Sequence, residues 1–143
     1  MPTLSVDLPV DFSTNTDQTH WKNRWKYVFA SAIGSLHLQS GQPCQDAAAA
    51  KWSAGPRPCL ILAVSDGAGS ATHAELGSRQ VVHAAVDWLA QRAELDDLQA
   101  SDAPLLIAHL QQVLGQEATA LGVELRQLAC TLSAAVIAPA WAW

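Results

Sequence analysis

The chain has 143 residues and a mass of 15.2 kDa, which suits one domain better than two. Half of the residues are hydrophobic and 15% are charged, so the composition predicts a packed core and excludes a disordered chain. The net charge of −5, without a cluster of Lys and Arg, argues against nucleic acid as a partner. No apolar run approaches the roughly 20 residues of a membrane span, so we expect no membrane partner either.

The cysteines and the first residues of the sequence together predict a reduced, cytoplasmic protein. Cys44, Cys59 and Cys130 are odd in number and widely spaced, which favours neither a disulfide framework nor a zinc ribbon. The opening stretch contains Asp7 and Asp11 and lacks the basic region with which a secretory signal begins.

We divide the chain into a polar leader, residues 1–25, and a domain, residues 26–143. Small and larger apolar side chains alternate over residues 27–38, and this period of two predicts a strand. A turn is expected at residues 40–43. Residues 44–50 suit either a short strand or the start of a helix.

The middle of the chain contains the clearest strand and the clearest helix. Residues 59–65 form a near-continuous apolar run, which predicts a strand buried on both faces. Thr72 and Glu75 have the spacing of a capping box at the start of a helix. One face of that helix is expected to be buried, namely Val82, Ala85, Val86 and Leu89.

The last third of the chain predicts a second helix and a final strand. Residues 96–102 are expected to form a solvated acidic loop, with Ser101 or Asp102 capping the helix and Gly122 ending it. Residues 128–138 then predict a strand. The resulting order of strand, strand, two helices and strand indicates an α+β fold, with either a parallel crossover or helices layered on an antiparallel sheet.

The chemistry is expected where the buried strand ends, in the sequence DGAGS that begins at Asp66. A carboxylate beside the main-chain carbonyl of Gly67 offers oxygen ligands only, which suits Mg²⁺ or Mn²⁺. Taken alone, this motif is better explained as a turn that begins with Asp. Asp46 also follows a turn, and the two carboxylates could meet across neighbouring strands and share two metal ions, or Asp46 could be an ordinary surface residue.

The motifs taken together are more specific than any one of them. They are ASxxGxxH from Ala30, GxPCQDA from Gly41, AVSDGAGSA from Ala63, AELGS from Ala74 and LACTL from Leu128. This series resembles the metal-dependent protein phosphatases of the PP2C type, and in particular their bacterial branch. The resemblance spans roughly residues 29–137.

The resemblance implies a fold and an activity. The fold is an α-β-β-α sandwich of two antiparallel sheets, and the activity is hydrolysis of phosphoserine and phosphothreonine in a protein substrate, such as the target of a cognate Ser/Thr kinase. Two Mn²⁺ or Mg²⁺ ions activate the attacking water. By motif, Asp66 would bridge both ions, Gly67 would give its carbonyl oxygen to one, and Asp46 would help to hold the hydrated metal cluster. Asp46 and Asp66 are thus the expected catalytic residues.

The sequence departs from the family pattern at three positions near this site. Gln45 stands where many members have a metal-binding glutamate, which implies a weaker or more hydrated second metal. Gly41 replaces an arginine that grips the substrate phosphate, a task for which Arg57 or Arg79 could substitute. Ala68 replaces a histidine proposed as general acid.

The largest departure is length, because the family domain exceeds two hundred residues and carries a further metal-binding aspartate near its end. We therefore expect a truncated, amino-terminal part of the domain. The alternative function is a catalytically inactive remnant that binds a phosphoprotein or another partner. A small unrelated α+β domain with a coincidental Asp-Gly turn is a third possibility.

Overall fold

The computed structural model describes residues 25–53, 58–95 and 98–143. The predicted leader therefore lies outside the described residues except for Trp25, and its boundary with the domain stays a prediction. The elements in chain order are α1 (Ser35–Ser40), β1 (Ala47–Trp52), β2 (Leu60–Ser65), α2 (Ala74–Leu95), α3 (Asp102–Leu121), a 3₁₀ helix (Leu125–Leu128) and β3 (Ser133–Ile137).

The three strands form one antiparallel sheet in the order β1-β2-β3. Ala47 lies opposite Ser65 in the first pair, and Val64 lies opposite Ser133 in the second. Residues 47–52 are thus a strand, which decides the alternative that the sequence left open. The two helices between β2 and β3 are layered on an antiparallel sheet, so the α+β class is confirmed and there is no parallel crossover among the described strands.

The core lies between one face of this sheet and α2. The predicted face of α2 is confirmed, because Val82, Ala85, Val86 and Leu89 are at most 4% exposed. From the sheet, Ile61 and Val136 enter the same cluster of buried side chains. The second helix, α3, packs on α2 and contributes Leu106 and Leu110. No helix within the described ranges has the length and apolarity needed to cross a membrane.

The other face of the sheet is open. Since side chains alternate along a strand, Leu62, Val64 and Ala135 point away from α2. Val64 is 53% exposed, so the prediction that this strand is buried on both faces was wrong. The described residues contain one sheet, and the second sheet of the expected sandwich is not among them.

The predicted strand over residues 27–38 is also wrong. Residues 25–34 have neither helical nor strand structure, and α1 occupies Ser35–Ser40. Val28 is 87% exposed and Phe29 is 52% exposed. An alternating pattern becomes a strand only where a neighbouring strand accepts its main-chain hydrogen bonds, and the described part of the chain provides none here.

The start of α2 differs from the predicted capping box. The helix begins at Ala74, which makes Glu75 its second residue rather than its third. The Thr72 hydroxyl instead hydrogen-bonds to Nδ1 of His73 (2.9 Å). The end of α3 agrees with the sequence, because Gly122 adopts a left-handed φ of 69° that favours glycine.

The acidic segment before α3 is not simply solvated. Asp102 is 3% exposed, and its carboxylate accepts hydrogen bonds from Nε of Arg92 (2.9 Å) and from the main-chain N–H of Gln99 (2.7 Å). These two donors hold the pKa of the Asp102 carboxyl below its usual value. Residues 96 and 97 lie outside the described part of the segment. The final strand is also shorter than predicted, because the chain forms a 3₁₀ helix at Leu125–Leu128 before β3 begins.

Candidate functional site

Asp46 and Asp66 lie opposite each other where β1 begins and β2 ends. The register pairs Ala47 with Ser65, so one further step pairs the two aspartates. The main-chain N–H of Gly67 donates to the carbonyl of Gln45 (3.1 Å), which shows that the same register continues beyond them. Directly opposed side chains in an antiparallel pair have Cβ atoms about 5 Å apart.

The two carboxylates are exposed, and no cationic side chain within the described ranges neutralises them. The ion pairs there are Lys51–Asp87, Arg92–Asp102 and Arg126–Glu124, none of which includes Asp46 or Asp66. Like charges directly opposite each other in a sheet repel. A hard divalent cation bound between the carboxylates would remove this repulsion. Carboxylate oxygens are the ligands that such cations prefer.

Gly67 is glycine because no side chain fits at its position. A Cβ there would lie 2.8 Å from Cβ of Ala74 and 2.9 Å from Cβ of Gln45. The absence of a side chain lets the end of β2 approach both the start of β1 and the first residue of α2. The turn after Asp66 is thereby packed against the helix, which fixes the main chain that leads out of the site.

Thr131 fixes the main chain of Asp66 from the side of β3. The Asp66 carbonyl accepts a hydrogen bond from the Thr131 N–H (2.8 Å), and the Thr131 hydroxyl accepts one from the Asp66 N–H (3.1 Å). The Ser65 hydroxyl donates to the Thr131 carbonyl (2.5 Å). The main chain of Asp66, at the end of β2, is therefore fixed by hydrogen bonds to the segment that precedes β3.

Asp46 is held from the other direction, by residues that precede β1. The Ser31 hydroxyl donates to the Asp46 carbonyl (3.3 Å) and lies 3.0 Å from Sγ of Cys44. Residues 30–32 also line a groove of about 270 Å³, and Asp46 forms part of its wall. This groove is on the open face of the sheet, beside Val64.

Gln45 does not join the two carboxylates. Its side chain is 6% exposed and begins beside Gly67 and Ala74, on the side of the sheet that faces α2. Its Oε1 atom is buried and has no hydrogen-bond partner among the described residues. The Gln45 side chain therefore does not lie beside that of Asp46, because consecutive strand residues point to opposite faces.

The described residues fit part of a metal site rather than a complete one. Two opposed carboxylates have the oxygen chemistry that Mn²⁺ and Mg²⁺ prefer. No group of three or more His, Cys, Asp or Glu side chains that could hold a metal occurs in the ranges that the structure describes. Of the two candidates to grip a phosphate, Arg57 lies outside the described residues and Arg79 is exposed on α2.

Cys130 lies beside Gly67 across an isolated bridge between the two chain segments. Burial raises the pKa of its thiol, and an interaction with the Ser65 side chain opposes that shift in part. A thiol with a raised pKa is a poor nucleophile near neutral pH, so the geometry supports packing rather than catalysis for Cys130.

Sequence reasoning missed the roles of Ser31 and Thr131. Both belong to motifs that the sequence analysis singled out, but neither has a side chain that binds metals strongly. Their contribution comes from hydrogen bonds to the main chain of the two aspartates, and such contacts depend on long-range register. The available signal was that both hydroxyl residues belong to motifs of the same series as the two acids.

Comparison with known proteins shows which family this chain resembles. The chain is 31% identical over 119 residues to "Serine/threonine-protein phosphatase 3" of Escherichia coli (strain K12), and the match covers 80% of this chain and 47% of that protein. The chain thus spans about half the length of this curated relative. No solved structure matches it. Residues 33–143 match the family model described as "Protein phosphatase 2C", and the chain belongs to that family.

Proposed function

We propose that this chain forms the amino-terminal part of a phosphatase that uses Mn²⁺ or Mg²⁺ to hydrolyse phosphoserine and phosphothreonine. The observation that carries this proposal is the opposition of Asp46 and Asp66, both exposed and neither paired with a described cationic side chain. Membership of the protein phosphatase 2C family and the similarity to a protein named as a Ser/Thr phosphatase support the reaction class.

The residues of the chain have distinct tasks in this proposal. Asp46 and Asp66 would hold the cation through their carboxylate oxygens, and Gly67 would add its main-chain carbonyl oxygen. When bound, such a cation lowers the pKa of water and neutralises phosphate oxygens. The hydroxyl of Thr131 keeps the main chain of Asp66 in place, so that its carboxylate does not need to be reoriented when the cation binds.

The proposed substrate is a phosphorylated protein, such as the target of a cognate Ser/Thr kinase, and the proposed compartment is the cytoplasm. The groove of about 270 Å³ beside Asp46 supports a substrate that presents a phosphorylated side chain at the surface. A phosphate in this groove would lie beside Asp46, at the end of the sheet where β1 begins. The two acidic groups repel an anion unless a cation lies between them, so substrate binding in this proposal requires the metal.

Hydrolysis of a phosphothreonine peptide by the phosphatase of which this chain is proposed to form the amino-terminal part, with Mn²⁺ and then with excess chelator, tests the proposal. We expect turnover with Mn²⁺ only, and a loss of about a hundredfold or more in Asp66→Asn. Asp87→Asn is the matched control, because Asp87 pairs with Lys51 (2.5 Å) away from the site. Turnover that survives chelator, or that Asp66→Asn leaves unchanged, would falsify the proposal.

We further propose that the open face of the sheet receives the second sheet of a PP2C-type sandwich. The exposure of Val64 (53%) on this face supports it. A dye that fluoresces on apolar surfaces is expected to bind the 143-residue chain, and Val64→Lys is expected to reduce that binding. Equal fluorescence from both proteins would contradict an open apolar face at Val64.

A further inference from the structure

We propose that Ser31 is a positioning residue that holds Asp46 in the geometry required for binding a divalent cation. The inference rests on the proposed function, because it assigns a role to Ser31 only through Asp46. Nothing in the chemistry of a serine hydroxyl makes it a strong metal ligand. Its effect is exerted through main-chain atoms on the residue that supplies the carboxylate.

The first step concerns how the Asp46 carbonyl is satisfied. The Ser31 hydroxyl lies 3.3 Å from this oxygen and 3.0 Å from Sγ of Cys44, and Sγ of Cys44 lies 3.9 Å from the same oxygen. Two hydrogens, one on the hydroxyl and one on the thiol, are shared among these three atoms. In each arrangement that uses both hydrogens, at least one of them is donated to the carbonyl of Asp46.

The second step concerns where Asp46 lies along the chain. It immediately precedes β1, whose ladder to β2 begins at Ala47. The N–H of Gly67 donates to Gln45 (3.1 Å), so the residue before Asp46 is fixed to the end of β2. The Ser31 hydroxyl adds a restraint at Asp46 itself, from a segment outside the sheet.

The third step concerns the energetic consequence. Bringing two carboxylates together without a cation is unfavourable, so Asp46 tends to move away from Asp66 wherever its main chain is free to do so. A restraint that keeps the two carboxylates opposed reduces the reorganisation needed when the cation binds. Groups that orient a metal ligand through hydrogen bonds change metal affinity by about ten- to a hundredfold when they are lost.

The test is titration of the 143-residue chain with Mn²⁺, with free Mn²⁺ measured by electron paramagnetic resonance. We expect Ser31→Ala to bind Mn²⁺ roughly tenfold more weakly. This value is at the lower end of the range, because Ser31 contacts the main-chain carbonyl of Asp46 rather than its carboxylate. Ser31→Thr keeps the hydroxyl at an exposed position and is expected to restore binding. Ser35→Ala, an exposed serine at the start of α1, is the matched control and should bind as the parent does.

If Ser31 had a merely structural role, Ser31→Ala would lower the thermal stability measured in chelator. Its Mn²⁺ affinity would then equal that of the parent, and Ser31→Thr would have no affinity to restore. Equal Mn²⁺ affinity in Ser31→Ala and the parent overturns the inference while leaving the proposed function intact. The proposed function is tested separately, by comparing the Mn²⁺ affinity of Asp46→Asn with that of the parent. If the parent binds Mn²⁺ no better than Asp46→Asn does, the role of Asp46 in metal binding is wrong, and the inference about Ser31 is wrong with it.

Discussion

Thr131 and Asp66 are joined by hydrogen bonds that use both the main chain and the side chain of the threonine. The Thr131 N–H donates to the Asp66 carbonyl (2.8 Å), and the Asp66 N–H donates to the Thr131 hydroxyl oxygen (3.1 Å). The hydroxyl hydrogen is directed back to the Asp66 carbonyl (3.3 Å). Only the first of these contacts survives a change of the side chain to one without a hydroxyl.

Thr131→Val is therefore expected to destabilise the chain by about 1–2 kcal/mol, because valine has the shape of threonine but leaves the Asp66 N–H without its acceptor. The measurement is urea denaturation followed by circular dichroism. Thr131→Ser keeps the hydroxyl and should lose less than the valine variant. Equal stability of the valine variant and the parent would show that solvent replaces the hydroxyl at no cost.

Gly67→Ala is expected to lower the free energy of unfolding by about 1–3 kcal/mol. The added Cβ would lie within 2.9 Å of Cβ atoms on both Gln45 and Ala74, so the end of β2 has to shift. Gly69→Ala is the matched control, since nothing lies within 4 Å of a Cβ built there. Parallel denaturation curves should separate the two variants, and coinciding curves would contradict the close approach at Gly67.

Gly77 provides an independent test of how α2 packs. A Cβ at this position would collide with the main-chain carbonyl of Leu128, so Gly77→Ala is expected to cost about 1–3 kcal/mol. In α3, Gly115 has nothing within 4 Å of a Cβ, and Gly115→Ala should raise stability by up to about 1 kcal/mol. Thermal melting should show a lower melting temperature for Gly77→Ala and a higher one for Gly115→Ala. Melting temperatures that shift in the same direction would contradict this prediction.

Asp102 predicts how stability depends on pH. The Gln99 N–H and the Arg92 guanidinium lower the pKa of this carboxyl from an ordinary value of 3.8, against the opposing effect of burial. A carboxyl whose pKa is lower in the folded state stabilises the fold above its unfolded pKa, and that stabilisation is lost as the pH falls through the folded value. The contribution is therefore present at neutral pH and decreases below about pH 4.

Asp102→Asn is expected to lose stability at neutral pH and to show a smaller further loss on acidification than the parent. The measurement is the urea midpoint of each protein near pH 7 and near pH 3. Asp87→Asn removes an exposed partner of Lys51 and should follow the parent closely. If Asp102→Asn and the parent lost the same stability on acidification, the Arg92–Asp102 pair would not be the cause.

The sequence by itself determined the elements whose signals are local. The apolar run predicted β2, the spacing of Val82 and Leu89 predicted the buried face of α2, and Gly122 predicted the end of α3. The DGAGS and CQDA motifs identified Asp66 and Asp46 as the acids to examine, and the series of motifs predicted the family. Each of these signals depends on a few neighbouring residues, since helical periods, caps and tight turns are properties of short segments.

The tertiary structure alone decided which side chains face one another. Residues 27–38 have the alternation of a strand but find no partner strand among the described residues, so they do not form one. Adjacent residues Gln45 and Asp46 both have side-chain oxygen atoms, yet only Asp46 lies opposite Asp66, because a step of one residue along a strand reverses the face. Asp102 can be buried because Arg92 and the main-chain N–H of Gln99 donate hydrogen bonds to its carboxylate. These outcomes depend on register and on packing between distant segments, and no local pattern encodes either.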